Sequence, residues 1–417
     1  VAMRTFSYVL AGKECIPGHF LFVVFICVLA LTSCKIRDNA KQTQKFKVIT
    51  IHPHESRSVG LTDLFQEVSL IPLQTSPDAL LGSIVRMEIH NNLFFIMDGQ
   101  LVTIFNTDGT FVSKVSHQGE DPWQYQEFSD FFVDTVQHVI EIMDGVGRRF
   151  QRYDFLGTWL SSSTFPWTAW KYARQGKQYL FFCGNLNNPG HNYSLIITDS
   201  ISGYPFVRGY FPIADYAKKF LHMSGSYHFY SFAGNLHFFK PLTDTVYQLH
   251  EPGVVPRYVV DFGRHRIDAE KLFSREYADM MEFFRFLKSQ DYAFNLHNVL
   301  ENETFLFFRY QIGQESRHVY YDKRTDSVFN IHAWKSDWFD GKSIRVSAGN
   351  APKAVDGKHF YYNMDAYELI ATLDSIRSAM PAVQLQEYIR KHSDLATVYE
   401  QLKPDDNPII IRCRIKK

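Results

Sequence analysis

Asn91-Asn92-Leu93-Phe94-Phe95-Ile96-Met97-Asp98, then Val102-Thr103-Ile104-Phe105-Asn106, the turn Thr107-Asp108-Gly109 and Thr110-Phe111-Val112-Ser113-Lys114-Val115 form the stretch that decides the fold. Two turn residues open a short aromatic run, a second extended run follows, and an Asp-Gly turn sends a third one back. Gly, Asn and Asp between β-branched and aromatic runs are the mark of consecutive hairpins.

The opening pattern returns along the chain. It stands as Gln137-His138-Val139-Ile140-Glu141-Ile142-Met143-Asp144 and as Gly176-Lys177-Gln178-Tyr179-Leu180-Phe181-Phe182. Further on come Gly234-Asn235-Leu236-His237-Phe238-Phe239, Asn302-Glu303-Thr304-Phe305-Leu306-Phe307-Phe308 and Asp356-Gly357-Lys358-His359-Phe360-Tyr361-Tyr362. Fixed recurrence at roughly 40–50 residues, lengthened by loop insertions, is the signature of four-stranded propeller blades. One such unit cannot bury its faces alone, whereas several arranged radially can. The expected architecture is therefore all-β, a six-bladed β-propeller over residues 46–417. A β-sandwich with accidental spacing is the alternative. The 66 aromatic residues (37 Phe, 23 Tyr, 6 Trp) favour strands as well.

Helical spacing interrupts the pattern at Asp268 to Tyr292, with Leu272, Phe273, Tyr277, Met280, Phe284 and Leu287 on one face. A helix pair broken at Pro381 is expected over 366–402, before a final strand, Ile409 to Ile415. Phe46 to Ile51 or Val68 to Leu73 could supply a closing strand, which would remove an open sheet edge.

Phe20 to Leu31, FLFVVFICVLAL, is too short to span a bilayer as a helix but suits the apolar region of an export signal. Leu31-Thr32-Ser33-Cys34 follows and resembles the bacterial lipobox. Residues 1–33 thus read as a lipoprotein signal peptide, Cys34 as the lipidated residue and residues 34–45 as a polar tether. Acyl chains on Cys34 would hold the fold at a membrane surface. An ordinary signal peptide with a chance cysteine is the alternative. Arg4, Lys13 and Glu14 would leave with the signal, turning 44 basic and 44 acidic residues into 42 and 43. Such balance argues against a nucleic-acid partner. With 45% hydrophobic and 21% charged residues, a mostly disordered chain is excluded. Only Cys183 and Cys413 would remain; they could pair, though a buried free thiol fits the apolar setting of Cys183 better.

The chain resembles the six-bladed β-propeller lipoproteins of Bacteroidetes, which are similar to NHL-repeat propellers. Val68-Ser69-Leu70-Ile71-Pro72-Leu73, the turn ending Phe105-Asn106-Thr107-Asp108-Gly109, and Asn407-Pro408 before the last apolar strand carry the likeness. The family's Gly-x-Gly-Pro-Gly-Glu-Tyr loop stands here as Gly119-Glu120-Asp121-Pro122-Trp123-Gln124-Tyr125, matching at Gly119, Pro122 and Tyr125 and departing at Asp121, Trp123 and Gln124. The resemblance implies a fold and an envelope location rather than a reaction. Lys35 after Cys34 implies, by likeness to Gram-negative lipoproteins, the outer membrane.

No GxGxxG, P-loop, HExxH, EF-hand or CxxC motif is present. His52-Pro53-His54-Glu55 is the nearest approach to a metal cluster, and no metal or other cofactor is expected. In a propeller, ligands are expected at the central channel or on rim loops. The innermost strands would be 83–89, 130–133, 168–172, 227–232, 295–300 and 353–355. Their leading residues Ser83, Asp130, Trp170, His228, Asn295, His297 and Lys353 would form a mixed donor–acceptor ring at one mouth. Replacing Asp130 and His297 is expected to spare the fold. The alternative is that these groups bond backbone or water. Trp123, Trp159, Trp167 and Trp170 could offer flat surfaces for stacking on a sugar or a partner, or could pack between blades. Because the ring holds one carboxylate, Asp130, the expected role is a non-catalytic binding or scaffold module for a glycan, peptide or protein. A glycan-directed hydrolase or lyase at the channel mouth is the alternative.

Overall fold

The computed structural model describes residues 46–416 except 221–224, 226, 251 and 252. The export signal, Cys34 and the tether lie outside the described residues.

The structure is all-β, with six sheets that follow one another along the chain. The first sheet runs Arg86–His90, Leu93–Met97, Val102–Asn106, Phe111–Val115; the second Phe128–Asp134, Val139–Asp144, Arg149–Asp154, Trp159–Thr164. The third is Lys171–Gln175, Gln178–Phe182, Tyr193–Asp199, Phe206–Pro212; the fourth Phe229–Phe232, Asn235–Phe239, Thr245–His250, Gly253–Asp261. The fifth is Ala293–Glu301, Phe305–Ile312, Glu315–Asp322, Ser327–Lys335, with Ser343–Arg345 added. The sixth starts with Ala354–Val355, His359–Met364 and Ile409–Ile415. Each repeat seen in the sequence is the second strand of a sheet together with the turn leading into it. At the first such turn Asn91 and Asn92 both adopt positive φ, 49° and 61°, as a two-residue hairpin turn requires.

Both early runs are used. Phe65–Pro72 pairs antiparallel with Ile409–Ile415 and completes the sixth sheet, while Lys47–Thr50 adds a parallel strand to the fourth. A further run, Arg57–Gly60, does the same for the fifth. Six apolar clusters lie between sheets, each formed by residues of two neighbours. They join first to second, second to third, and so on to fifth and sixth. The last, around Ile71, Phe94, Phe105, Tyr361 and Ile410, joins sixth back to first.

The helical insertions are more broken than expected. Residues 268–292 hold two helices, Ala269–Ser274 and Met280–Ser289, because Asp279 accepts from the Glu282 amide at 2.7 Å and starts the second anew. Residues 366–402 hold three: Ala366–Ala379, Ala382–Lys391 and Ser393–Gln401. Pro381 makes the expected break, and His392, at φ −120°, makes another. Cys183 and Cys413 are buried and unpaired.

Candidate functional site

The innermost strands surround a cavity of about 230 Å³ lined by residues of all six sheets. Alternation within a strand explains which side chains reach it: Arg86, Glu88 and His90 are two residues apart on Arg86–His90. Tyr227 lines it too. Its hydroxyl donates to the Lys353 carbonyl at 2.9 Å and accepts from the Met87 amide at 3.2 Å, so one side chain ties the entry of the fourth sheet to the sixth and first. Beside it, Arg86 bonds both Asp130 and Glu88, and its guanidinium lies 4.8 Å from the Phe131 ring centre.

Asp130, 1% exposed, spends its remaining lone pairs on the Tyr172 amide at 3.0 Å and its neighbour Phe131 at 3.1 Å. Asp130 lines the cavity, as the sequence reading placed it, but it stitches the first three sheets together, so the expectation that replacing it spares the fold is corrected. His228 also lines the cavity, but both ring nitrogens are engaged, Nδ1 with the Phe239 carbonyl at 3.1 Å and Nε2 with the Gly225 amide at 2.8 Å. Burial pushes its pKa down to about 3, which keeps the ring neutral at pH 7.

Other expected site residues are distributed differently. Ser83, Trp170, His228 and Lys353 precede the strands rather than sit in them. The amides of Trp170 and Lys353 still bond across to Phe182 and Tyr361, as the approaching chain is already extended. Asn295 is not in the channel; it sits at a bulge with φ 56° and donates to Gln311 at 3.1 Å. His297 and Lys353 do not line the channel cavity. Trp167 is only 7% exposed, its indole donating to the Tyr204 carbonyl at 3.0 Å, so it packs inside the third sheet's edge and offers no stacking face. Trp123 (39% exposed) and Trp159 (41%) do share one surface, bridged by Gln151, which accepts from the Trp159 indole at 3.0 Å and donates to the Pro122 carbonyl at 2.8 Å.

The cavity is also lined by groups that the sequence reading missed: Glu88, His90, Arg174, Tyr230, Ser231 and Glu301. Glu301 accepts from Tyr258 (2.7 Å), Arg257 (2.7 Å), Tyr230 (2.9 Å) and Lys323 (3.1 Å). Burial alone would raise its pKa, but those donors outweigh it and hold the carboxyl below its usual range. Glu88 is held down in the same way, burial opposing and Arg86 and His90 prevailing. The signal was present for Glu88 and His90, which with Arg86 are charged or polar at every second position of a strand whose other face is apolar.

Apart from the channel, His54, His265 and Asp291 bring ligand atoms within 4.8 Å of one another, Asp291 meeting His54 at 2.7 Å and His265 at 3.0 Å. His54 comes from the segment that the sequence reading took to bind no metal.

Residues 46–414 match the model of a domain of unknown function, DUF4934. No curated protein matches the chain. Among solved structures, a Bacteroides fragilis protein named on the expectation that it is exported superposes with a TM-score of 0.71 at 19% identity, covering 89% of this chain and 100% of its own. That likeness establishes a shared fold. A DUF4221 family member from Bacteroides vulgatus gives 0.48 at 10% identity over 85% of this chain and 98% of its own. The β-propeller domain of Myceliophteria thermophila Cps50 (Swd1) gives 0.35 at 9% identity over 63% and 88%. The last two are too distant to bear on this chain. Among the described residues no helix is long and apolar enough to cross a membrane.

Proposed function

The chain belongs to the DUF4934 family, and from that premise we propose that it is a six-bladed β-propeller, exported and lipid-anchored through Cys34, that binds a small polar ligand non-catalytically in its central channel. The cyclic order of the six inter-sheet clusters supports the blade count. The apolar run Phe20 to Leu31, the lipobox-like Leu31-Thr32-Ser33-Cys34 and the similar B. fragilis protein named as exported support the location. The outer membrane remains the expected one.

One observation carries the binding reading: the channel cavity of about 230 Å³ is lined by charges already fixed by partners, Arg86, Glu88 and Glu301 among them. Pre-organised polar groups lower the cost of ordering on binding. The volume suits a single sugar ring or an amino acid better than an extended chain. A hydrolase would ask for a carboxyl kept protonated near neutral pH, whereas Glu88 and Glu301 are both held below the ordinary range.

The test is calorimetric titration of the full-length protein with monosaccharides and amino acids. His90 bonds Glu88 of its own strand, while Arg174 also meets Asp134 of the second sheet at 3.5 Å; with folding checked by thermal melting, the pair Arg174→Ala and His90→Ala should weaken any ligand found by at least ~10-fold, about 1.4 kcal/mol. Unchanged affinity in the double variant would remove the channel as the site.

A further inference from the structure

His54, His265 and Asp291 come together from three segments that stand far apart in sequence. His54 sits in the turn His52-Pro53-His54-Glu55, closed by the Glu55 amide on the His52 carbonyl at 3.0 Å. Pro53 has its φ fixed by its own ring, which favours such a turn. The His52 carbonyl also accepts from the side chain of buried Asn330 at 3.0 Å, and the Ile51 amide donates to the Asp261 carbonyl at 2.9 Å. The backbone around His54 is thus anchored to the fifth and fourth sheets. His265 ends the short helical turn Gly263–His265, which follows the outer strand of the fourth sheet. Asp291 stands between the helix Met280–Ser289 and the inner strand of the fifth sheet, Ala293–Glu301.

One carboxylate oxygen of Asp291 meets His54 Nε2 at 2.7 Å, and the other meets His265 Nδ1 at 3.0 Å. The two imidazoles stand edge to face, with ring centres 5.0 Å apart. All three ligand atoms lie within 4.8 Å of one another, and among the described residues no other His, Cys, Asp and Glu side chains converge in this way. As an ion pair the contact is worth little, because the His54 and Asp291 side chains are 57% and 58% exposed. As a donor set it is selective: two imidazole nitrogens and one carboxylate suit zinc and its neighbours, whereas calcium and magnesium ask for oxygens. Bonds of about 2.0–2.2 Å to a tetrahedral ion place its ligand atoms about 3.3 Å apart. The two Asp291 contacts therefore open slightly and the rings draw together, a change within reach of two exposed side chains. Hydrogen bonding to His54 already holds the Asp291 carboxyl below its ordinary range, so it is ionised and ready to ligate. Two contacts oppose binding. His265 Nδ1 has to leave the Asp291 carbonyl at 2.9 Å, and Arg264, whose Nε lies 3.4 Å from His265 Nε2, has to turn outward. Arg264 is exposed and free to swing into water, after which Nε2 carries the proton.

We propose that His54, His265 and Asp291 bind one divalent transition-metal ion of the zinc class, and that the ion fastens the turn of residues 52–55 to the fourth and fifth sheets. Closing loops between such distant positions is where a metal clip gains most. Three protein ligands leave a fourth position to water. The site is separate from the channel, and its failure would leave the channel reading standing.

The test is calorimetric titration of zinc chloride into the full-length, untagged protein, first stripped with a chelator that is then dialysed away. One saturable site per chain is expected. His54→Ala and Asp291→Asn, both at exposed positions, should each weaken it at least ~10-fold, while His52→Ala, in the same turn but outside the cluster, should stay within about twofold of the parent. Cobalt(II) in place of zinc should show the visible absorption of a four- or five-coordinate ion, lost in the same two variants. Amide hydrogen exchange across residues 47–60 should slow when zinc is added to the parent and not when it is added to either variant. Absence of a saturable site, affinity unchanged in His54→Ala or Asp291→Asn, or an equal loss in His52→Ala would overturn the proposal. Exchange across 47–60 that zinc does not slow would overturn the fastening.

Discussion

Asp130 contributes more to the molecule than its exposure suggests, since one carboxylate takes hydrogen bonds or charge from the first, second and third sheets. Asp130→Ala leaves Arg86 buried with only Glu88 beside it, and should destabilise the protein by about 3–5 kcal/mol in urea unfolding, with Asp130→Asn losing less. Tyr227→Phe strips the Lys353 carbonyl and the Met87 amide of their partner and should cost about 1–3 kcal/mol, read from the same transition. Asp130 was legible in the sequence as an inward-facing position at the start of an inner strand. Its role was not legible, because Arg86 and the Tyr172 amide come from neighbouring sheets, and side-chain spacing within one strand carries no information about them. Trp167 failed for a similar reason: its partner Tyr204 lies on a loop whose path no local pattern dictates.

Gly109 shows how an element's turn can be set by another element. It has φ +95°, and a Cβ there would sit 2.2 Å from the Pro72 carbonyl of the closing strand. Gly109→Ala should therefore lower stability by more than ~1 kcal/mol, measured as a fall in thermal midpoint, beyond what turn propensity alone would cause. All six second strands were legible, since a turn signal followed by an apolar aromatic run is local. Helix ends were not: the new start at Asp279 depends on one amide bond, and the break at His392 has no proline to announce it. The closing strand could not be chosen between Phe46–Ile51 and Val68–Leu73 because its partner lies at the far end of the sequence. The fold employs both runs, in different sheets.

For the molecule as a whole, buried histidines set an acid limit. Burial depresses His228, His297 and His318 to about 3 and His237 to about 4, against an ordinary value of 6.5. Below pH 6.5 the unfolded chain takes up protons that the folded one refuses. Stability is thus full above about pH 6.5 and falls as pH drops towards 3–4, by at most about 1.4 kcal/mol per pH unit for each histidine. Denaturant midpoints between pH 7.5 and 4.5 should show this decline, and His318→Gln should make it shallower. The location is tested at the same scale: Cys34→Ala should release the chain from the membrane fraction of expressing cells, and full retention would count against lipidation. The cyclic sheet order has a consequence for biogenesis. Ser69 meets Arg412 across 343 residues of sequence, so the strand that seals the sixth sheet emerges early and waits for a partner made late. Until then an unpaired edge is open to any passing chain, and long-range pairing of this kind is slow. A polypeptide threaded outward through a translocation pore would consequently stay unlatched throughout its passage and fasten only once its last strand had cleared the exit.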